Sequence, residues 1–266
     1  MCSSDLVMRI VVKIGTSTLA HPTGLLNIRH VEQLVKVLSD LKNAGHETIL
    51  VSSGAIGMGV GKLNLPGKPQ DMPTKQAAAA VGQCELMYTY DRLFAMYNHT
   101  VAQILLTGED IDHPDRRENF QNTLERLLEL GVLPVINEND TVATAEIKVG
   151  DNDTLGAVVA CCIHADVLVL LSDIQGLYTA DPHKDSNAQL IDRVDHISPE
   201  ILALAGGAGT TLGTGGMATK LRAAQMVMEQ GCDMVISHGE HPELLYDLAE
   251  GKPVGTRFCA KKEEHV

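Results

Sequence analysis

The sequence has few aromatic residues and few basic ones. It contains no Trp, 3 Phe and 5 Tyr, and its 21 Lys and Arg stand against 34 Asp and Glu, for a formal net charge of −13. Platforms that stack nucleic-acid bases need aromatic side chains, and a surface that attracts nucleic acid or anionic lipid needs excess positive charge. We therefore expect no nucleic acid and no membrane among the partners. Any anionic ligand must be bound by a local group of charges.

Signals for export, membrane insertion and metal binding are also missing. The first residues, MCSSDLVM, hold no basic segment and no apolar run of signal length. The longest apolar stretch, residues 155–171, is interrupted by His164 and Asp166 and is too short to cross a bilayer. The 6 Cys form no CxxC pair and the chain has no HExxH pattern. We expect a reducing, cytoplasmic location and no metal held by the protein itself.

Short apolar runs alternate with helical patterns along the chain. Runs rich in Val, Ile and Leu predict buried strands at residues 9–13, 47–51, 101–106, 132–137, 167–172 and 234–237. Helical periodicity predicts helices at residues 28–41, 74–97, 115–130, 154–163 and 217–230, the first capped by Asn27 and ended at Gly45. Because strands that alternate with helices are joined by crossovers, they pair in parallel. The sequence predicts a single α/β domain, a three-layer αβα sandwich with a mainly parallel central sheet.

Three stretches break the alternation and are predicted to be loops, at residues 54–75, 137–153 and 173–216. In open parallel sheets, ligands bind in the loops that follow the carboxyl ends of the strands. Two glycine-rich motifs here are incomplete: the Walker spacing fails around Gly61 and Lys62, and the looser dinucleotide fingerprint at residues 213–218 has no strand before it. Gly57 and Gly59 are typical of a helix packed tightly against a sheet.

Polar residues cluster at the ends of several predicted strands and at the starts of two helices. These residues are Lys13 and Gly15, Ser53 and Gly54, Asn137 and Asp140, Asn152 and Asp153, Ser172 and Asp173, and Lys220. Such clusters are costly to bury unless they bind a ligand or one another. Simpler interpretations remain open, because Lys13 could be a solvated strand-end lysine and Asp151, Asn152 or Asp153 could cap a helix.

Lys13 and Lys220 suit the chemistry of phosphoryl transfer. Each lies beside glycine-rich backbone at a strand end or helix start, where a polyphosphate can be bound and neutralised. An acidic residue such as Asp153 would keep both lysines charged. No histidine accompanies these clusters as a general base, which favours an acceptor that is already ionised, such as a carboxylate with a pKa near 4.3. The product would be an acyl phosphate.

Five ordered segments resemble the amino-acid kinase family. They are VVKIGTS, SSGAIGMG, VINENDTVATAEIKVGDND, LLSDIQGLYTADP and GTGGMATK. Within the family they are most similar to the members that phosphorylate the γ-carboxylate of L-glutamate with ATP and magnesium, the first step of proline biosynthesis. The resemblance implies a short form without the C-terminal PUA domain of many members, and a homo-oligomer, dimer or tetramer, that proline inhibits. It also implies an acceptor-binding lobe at residues 1–150 and a nucleotide-binding lobe at residues 151–266.

The resemblance also assigns roles to residues of this chain. Lys13, Lys220 and Asp153 would be catalytic. Glutamate would be held by Ser53, Gly54, Asn137, Asp140 and Asn152, with Asp140 as the partner of its ammonium group. The nucleotide, which carries the Mg²⁺, would be contacted by Lys13, Gly15, Ser172, Asp173, Thr214, Gly215, Gly216, Met217, Ala218, Thr219 and Lys220.

Two alternatives remain open from the sequence. The first is a sibling kinase that acts on N-acetylglutamate, aspartate or UMP, although Lys13-Ile14-Gly15 lacks the paired glycines that are usual in the acetylglutamate and aspartate enzymes. The second is a catalytically silent amino-acid sensor, which could dispense with Lys13 or Lys220. Because both lysines are present, the sequence favours an enzyme.

Overall fold

The predicted apolar runs form one central sheet in the computed structural model, which describes residues 7–21, 23, 25–143, 151–182, 184–204 and 216–261. The described strands are β1 (Arg9–Ile14), β2 (Glu47–Ser52), β3 (Val101–Leu106), β4 (Leu133–Glu138), β5 (Val167–Ser172), β6 (Arg193–Val194), β7 (Asp233–His238) and β8 (Thr256–Phe258). Their order across the sheet is β3-β4-β2-β1-β5-β7-β8-β6. All neighbours are parallel except β7 and β8, which confirms the mainly parallel sheet.

Helices connect these strands. They are α1 (Thr16–Leu19), α2 (Ile28–Asn43), α3 (Ala55–Lys62), α4 (Met72–Ala95), α5 (Gly108–Asp112), α6 (Pro114–Glu129), α7 (Asn152–Cys162), α8 (Pro199–Leu204), α9 (Met217–Glu229) and α10 (Leu244–Ala249). Among these helices, α2, α4 and α7 begin at residues whose side chains cap them. The predicted cap Asn27 accepts a hydrogen bond from the backbone N–H of His30, and Gly45 follows the end of α2 with φ +99°. No helix of the described residues has the length and apolar character needed to span a membrane.

Two apolar cores, one on each face of the sheet, create the predicted three layers. Alternate residues of β1 enter different cores: Val11 packs with residues of α6, α7 and α9, whereas Ile10 and Val12 pack with residues of α2, α4 and α10. This alternation follows from the twofold periodicity of a strand. Since strands of both halves of the chain contribute to each core, the sheet forms one continuous support for the loops at its edge.

The stretch after β2 was predicted to be a loop, which was wrong for α3, whereas the helix indicated by Gly57 and Gly59 is confirmed. Gly57 and Gly59 lie inside this helix, where close packing outweighs the low helix propensity of glycine. A Cβ on Gly59 would lie 1.8 Å from the carbonyl oxygen of Ala78, and a Cβ on Gly82 would lie 1.7 Å from that of Ala55. The glycines therefore let α3 pack against α4. The sequence predicted that Gly59 packs against the sheet, but Gly59 contacts α4 instead. The other predicted loop, at residues 173–216, similarly contains β6 and α8.

Substitution of Gly82 by alanine is expected to destabilise the protein by about 3 kcal/mol, because the new methyl group overlaps the backbone of α3 and forces the two helices apart. The free energy of unfolding in urea measures the effect. Gly67→Ala is the matched control, since no atom lies within 4 Å of a Cβ at that position. Equal stability of the two variants would contradict the close helix contact.

Candidate active site

The carboxyl ends of the central strands lie level at one edge of the sheet. Ile14 at the end of β1 is in register with Ser52 at the end of β2, and Ser172 at the end of β5 is in register with His238 at the end of β7. Polar residues that are far apart in the sequence therefore meet at this edge, where open parallel sheets bind ligands.

Lys13, Asp153 and Lys220 form a buried ionic cluster at this edge. Lys13 Nζ lies 2.7 Å from Asp153 Oδ1, and Lys220 Nζ donates a hydrogen bond of 2.8 Å to Asp153 Oδ2. The Lys13 contact is an ion pair between two buried groups. Two lysines that lie 207 positions apart in the numbering thus converge on one carboxylate, and the three side chains together carry one net positive charge.

The charge of Asp153 depends on its two lysine neighbours. Its side chain is fully buried, and burial by itself disfavours the carboxylate form, but the nearby ammonium groups of Lys13 and Lys220 more than offset burial and hold the pKa of Asp153 below its ordinary value. Asp153 also lies in the first turn of α7, where the helix dipole favours an anion. The carboxylate therefore stays ionised and keeps both lysines in place.

Local sequence positions each member of the cluster. Asp151 caps α7 by accepting hydrogen bonds from the backbone N–H groups of Asp153 and Thr154. Of the three residues that were candidates for this cap, Asp151 is therefore the one that forms it. Gly156 lets α7 approach β1 closely, since a Cβ there would lie 3.5 Å from Lys13 Cβ. Lys220 occupies the first turn of α9, where the helix dipole disfavours a cation. An anion beside Lys220 is needed to offset that cost.

A second group of predicted residues is joined by hydrogen bonds. Asn152 Nδ2 donates to Ser53 Oγ at 2.6 Å and to Asn137 Oδ1 at 3.1 Å. Asn137 in turn donates to Gln83 Oε1 at 2.9 Å, and Gln83 donates to Gln103 Oε1 at 3.0 Å. The two glutamines were missed from the sequence. The sequence held one indication of this group, because Gln103 is the single polar residue in the apolar segment VAQILL.

The remaining predicted residues surround these two groups. Gly54 caps α3 with φ +108°, a left-handed conformation that favours glycine, and Asp140 lies half-buried in the turn after β4. Ser172 Oγ donates to Asp173 Oδ1 at 3.0 Å, and among the described residues neither is hydrogen-bonded to the two lysines. Gly15 caps α1.

The N-terminal turn of α9 contributes a hydroxyl group to the ionic cluster. Thr219 Oγ1 lies 3.2 Å from Asp153 Oδ2 and 2.7 Å from the carbonyl oxygen of Gly216, so its single proton can be donated to either. Met217 and Ala218 lie in the same turn. Thr214 and Gly215, which were also predicted to contact the nucleotide, lie outside the described residues.

The three-layer α/β fold is shared with solved kinase structures. The structure of carbamate kinase from Giardia lamblia bound to AMP-PNP aligns with a TM-score of 0.69 over 96% of this chain and 99% of that one. Its sequence identity of 17% supports the fold alone. By its fold, the protein therefore belongs to the class of three-layer α/β proteins that includes small-molecule kinases.

The family follows from the sequence comparisons. The model of the amino acid kinase family matches residues 8–238, and the chain belongs to that family. It is 55% identical over 256 residues to a protein named glutamate 5-kinase from Clostridium tetani, with 96% of each chain covered. It is 52% identical to the protein of the same name from Clostridium acetobutylicum, over 97% of this chain and 96% of that one. The resemblance predicted from five segments is thereby confirmed.

Proposed function

We propose that this chain transfers the γ-phosphate of ATP to the γ-carboxylate of L-glutamate and forms L-glutamyl 5-phosphate, the first step of proline biosynthesis. Relatives named glutamate 5-kinase support the substrate through 52 and 55% identity over nearly the full chain. The observation that carries the proposal is the ion cluster, in which Lys13 and Lys220 lie 2.7 and 2.8 Å from opposite oxygens of Asp153.

In this proposal the lysines neutralise charge on the transferred group. The γ-carboxylate of glutamate attacks the γ-phosphorus, an oxygen–phosphorus bond forms, and the bond to the bridging oxygen of ATP breaks to release ADP. Positioning and charge neutralisation are the main contributions that a protein makes to such a step. Lys13 and Lys220 serve as the cationic groups, and Asp153 holds them together. No general base is needed, because a carboxylate with a pKa near 4.3 is already ionised at neutral pH.

We assign the acceptor site to the hydrogen-bonded group beside this cluster. Ser53, Gly54, Asn137, Asp140 and Asn152 would hold glutamate. Ser53 and Gly54 follow β2, Asn137 lies near the end of β4, Asp140 follows β4 and Asn152 opens α7. Ser53 and Asn152 supply neutral polar atoms, whereas Asp140 supplies a carboxylate for the α-ammonium group. An N-acetylated acceptor carries no such charge, so Asp140 favours a free amino acid.

We assign the nucleotide site to the neighbouring strand ends and the start of α9. Gly15, Ser172, Asp173, Thr214, Gly215, Gly216, Met217, Ala218 and Thr219 would contact ATP together with Lys13 and Lys220. Magnesium would arrive on the phosphates of the nucleotide. The donor set fits that arrangement, because Asp153 is already paired with two lysines and the described residues contain no group of three or more His, Cys, Asp or Glu placed to hold a metal ion.

The same proposal includes the lobes, the assembly and the regulation that the resemblance implies. Residues 1–150 would bind the acceptor and residues 151–266 the nucleotide. The protein would act in the cytoplasm as a dimer or tetramer, and proline would inhibit it by feedback. Sedimentation of the purified protein with and without proline, alongside activity measurements, tests the assembly and the inhibition together.

Hydroxylamine trapping tests the reaction directly. Hydroxylamine converts an acyl phosphate to a stable hydroxamate, so we expect hydroxamate to accumulate with ATP, Mg²⁺ and L-glutamate. N-acetylglutamate lacks the α-ammonium group and aspartate is one methylene shorter than glutamate. Each, assayed in parallel under the same conditions, should therefore yield at most about a tenth of that rate.

Each outcome of this assay separates one interpretation from the others. Hydroxamate formed only with N-acetylglutamate or aspartate would reassign the acceptor within the same family. Binding of glutamate without ATP turnover, measured by calorimetry, would replace the enzyme by an amino-acid sensor.

A further inference from the structure

Gln83 is a buried polar residue of α4 that has no role in the reaction proposed above. The residue is only 7% exposed, and its side-chain amide lies between two hydrogen-bond partners. Gln83 Oε1 accepts a hydrogen bond of 2.9 Å from Asn137 Nδ2, and Gln83 Nε2 donates one of 3.0 Å to Gln103 Oε1. A buried amide is retained at little cost only when its groups are paired in this way. Gln83 therefore belongs to a chain of amides that leads from the sheet edge to Ser53.

One backbone group sets the direction of every hydrogen bond in this chain of amides. The backbone N–H of Glu138 donates to the side chain of Asn137 at 2.9 Å, and because a backbone N–H can only donate, the accepting atom must be Asn137 Oδ1. Asn137 Nδ2 must then point toward Gln83, whose accepting atom must be its oxygen. By the same logic, the group of Asn152 that approaches Asn137 Oδ1 is its NH₂.

This polarity fixes what the site offers to an acceptor. Both N–H bonds of Asn152 are directed within the protein, to Ser53 Oγ and Asn137 Oδ1. Among the described residues, none donates a hydrogen bond to Asn152 Oδ1 and none accepts the hydroxyl proton of Ser53. Asn152 thus presents an acceptor oxygen and Ser53 presents a donor O–H, next to each other. An α-ammonium group and an α-carboxylate, the two ends of a free amino acid, are the complementary groups.

We infer that Gln83 is a positioning residue for acceptor binding: together with the backbone N–H of Glu138, its Oε1 atom keeps Asn137 in the orientation that makes Asn152 an acceptor and Ser53 a donor. Asn137 is a buried residue, only 2% exposed. Without the Gln83 oxygen its NH₂ group loses its partner, and the amide must rotate or shift to find another. The Asn137 oxygen then no longer holds Asn152. The inference rests on the proposed function, since it takes glutamate as the acceptor.

The test compares variants that remove or keep an oxygen at this position. Gln83→Met retains the volume and removes both polar atoms, and Gln83→Asn keeps an amide that is one carbon too short to reach Asn137. We expect either change to raise KM for glutamate about tenfold or more, the effect of leaving one buried donor unpaired. KM for ATP and kcat should stay within about threefold, since the ionic cluster does not contact Gln83. Hydroxamate formation measures all three constants.

Gln83→Glu is the conservative variant, and it should bind the acceptor about as well as the wild type does. Its carboxyl oxygen accepts from Asn137 whether or not the group is protonated, and Gln103 can turn its amide to donate to the second oxygen. KM for glutamate should therefore stay within about threefold of the wild type. Gln121→Met is the matched control, since Gln121 is hydrogen-bonded to Glu125 on its own helix α6 and should leave every constant unchanged.

The outcomes separate this inference from the proposed function. A wild-type protein that forms no hydroxamate with glutamate would overturn the proposed function before any variant is compared. An active wild type with an unchanged glutamate KM in Gln83→Met or Gln83→Asn, whichever folds, would overturn the positioning role alone. The same would follow if Gln83→Glu raised KM for glutamate as much as the other variants, or if all variants raised KM for ATP equally.

Discussion

Replacement of Lys13 by methionine is expected to lower kcat at least about a thousandfold while the protein stays folded, and Lys220→Met should do the same. Removal of a preorganised group that stabilises charge in a transition state has effects of this size. The fold should persist because Asp153 keeps one of its two lysine partners in each variant. Initial rates of hydroxamate formation at saturating ATP and glutamate measure kcat, and circular dichroism shows whether the fold is retained.

An exposed lysine provides the matched control for these two substitutions. Lys252 is paired with Asp247 and Glu250 at the surface, so Lys252→Met removes the same charge without touching the ionic cluster. Its turnover should equal that of the wild type. A kcat of Lys13→Met within tenfold of the wild type would remove Lys13 from the mechanism, and the same threshold applies separately to Lys220.

The sheet could be predicted from the sequence because its central strands are short apolar runs. Residues buried on both faces of a parallel sheet need no alternation, and this is the pattern of Val167–Ser172, the strand β5. The strands β6 and β8 were not predicted, since with 2 and 3 residues they are too short to show a period. β8 pairs with β7, and among the described strands β6 pairs only with β8, where Arg193 is in register with Arg257.

The convergence of Lys13, Asp153 and Lys220 followed from strand topology. Parallel strands end at one edge, so polar residues at strand ends and helix starts are brought together whatever their separation in the sequence. The contact distances and the burial of Asp153 required the structure. Both depend on how closely α7 and α9 approach β1, as the contact between Gly156 and the Lys13 stem illustrates.

The role of Gln83 and the packing partner of α3 could not be inferred because tertiary packing decides both. Gln83 lies inside a helix whose pattern does not reveal which polar side chain turns inward, and its partner Asn137 is 54 positions away. The glycines of α3 have low helix propensity, so the stretch was predicted to be a loop even though Gly57 and Gly59 indicated a tightly packed helix. The close contact of Gly59 and Gly82 with the opposing backbone compensates for that propensity.

Substitution of Asp153 by asparagine is expected to destabilise the protein by about 3–5 kcal/mol and to abolish turnover. The change leaves the side chains of Lys13 and Lys220, which are 11% and 5% exposed, without the carboxylate that holds them. Breaking a buried ion pair by removing one partner has effects of this size, because a buried charge is left uncompensated. The free energy of unfolding in urea at pH 7 measures it, and Asp195→Asn, which removes an exposed partner of Arg193, should change that energy little.

The pH dependence of this destabilisation has a definite sign. Because the lysines hold the pKa of Asp153 below its ordinary value, the folded state favours the carboxylate, and its contribution to stability is complete above the unfolded pKa of about 3.9. The contribution is lost only as the pH falls further, through the folded pKa. The difference in unfolding free energy between the wild type and Asp153→Asn should therefore be the same at pH 7 and pH 5. A difference that disappears between these two values would mean that Asp153 is protonated in the folded protein, and the lysines would then lack the anion that the proposed phosphoryl transfer requires.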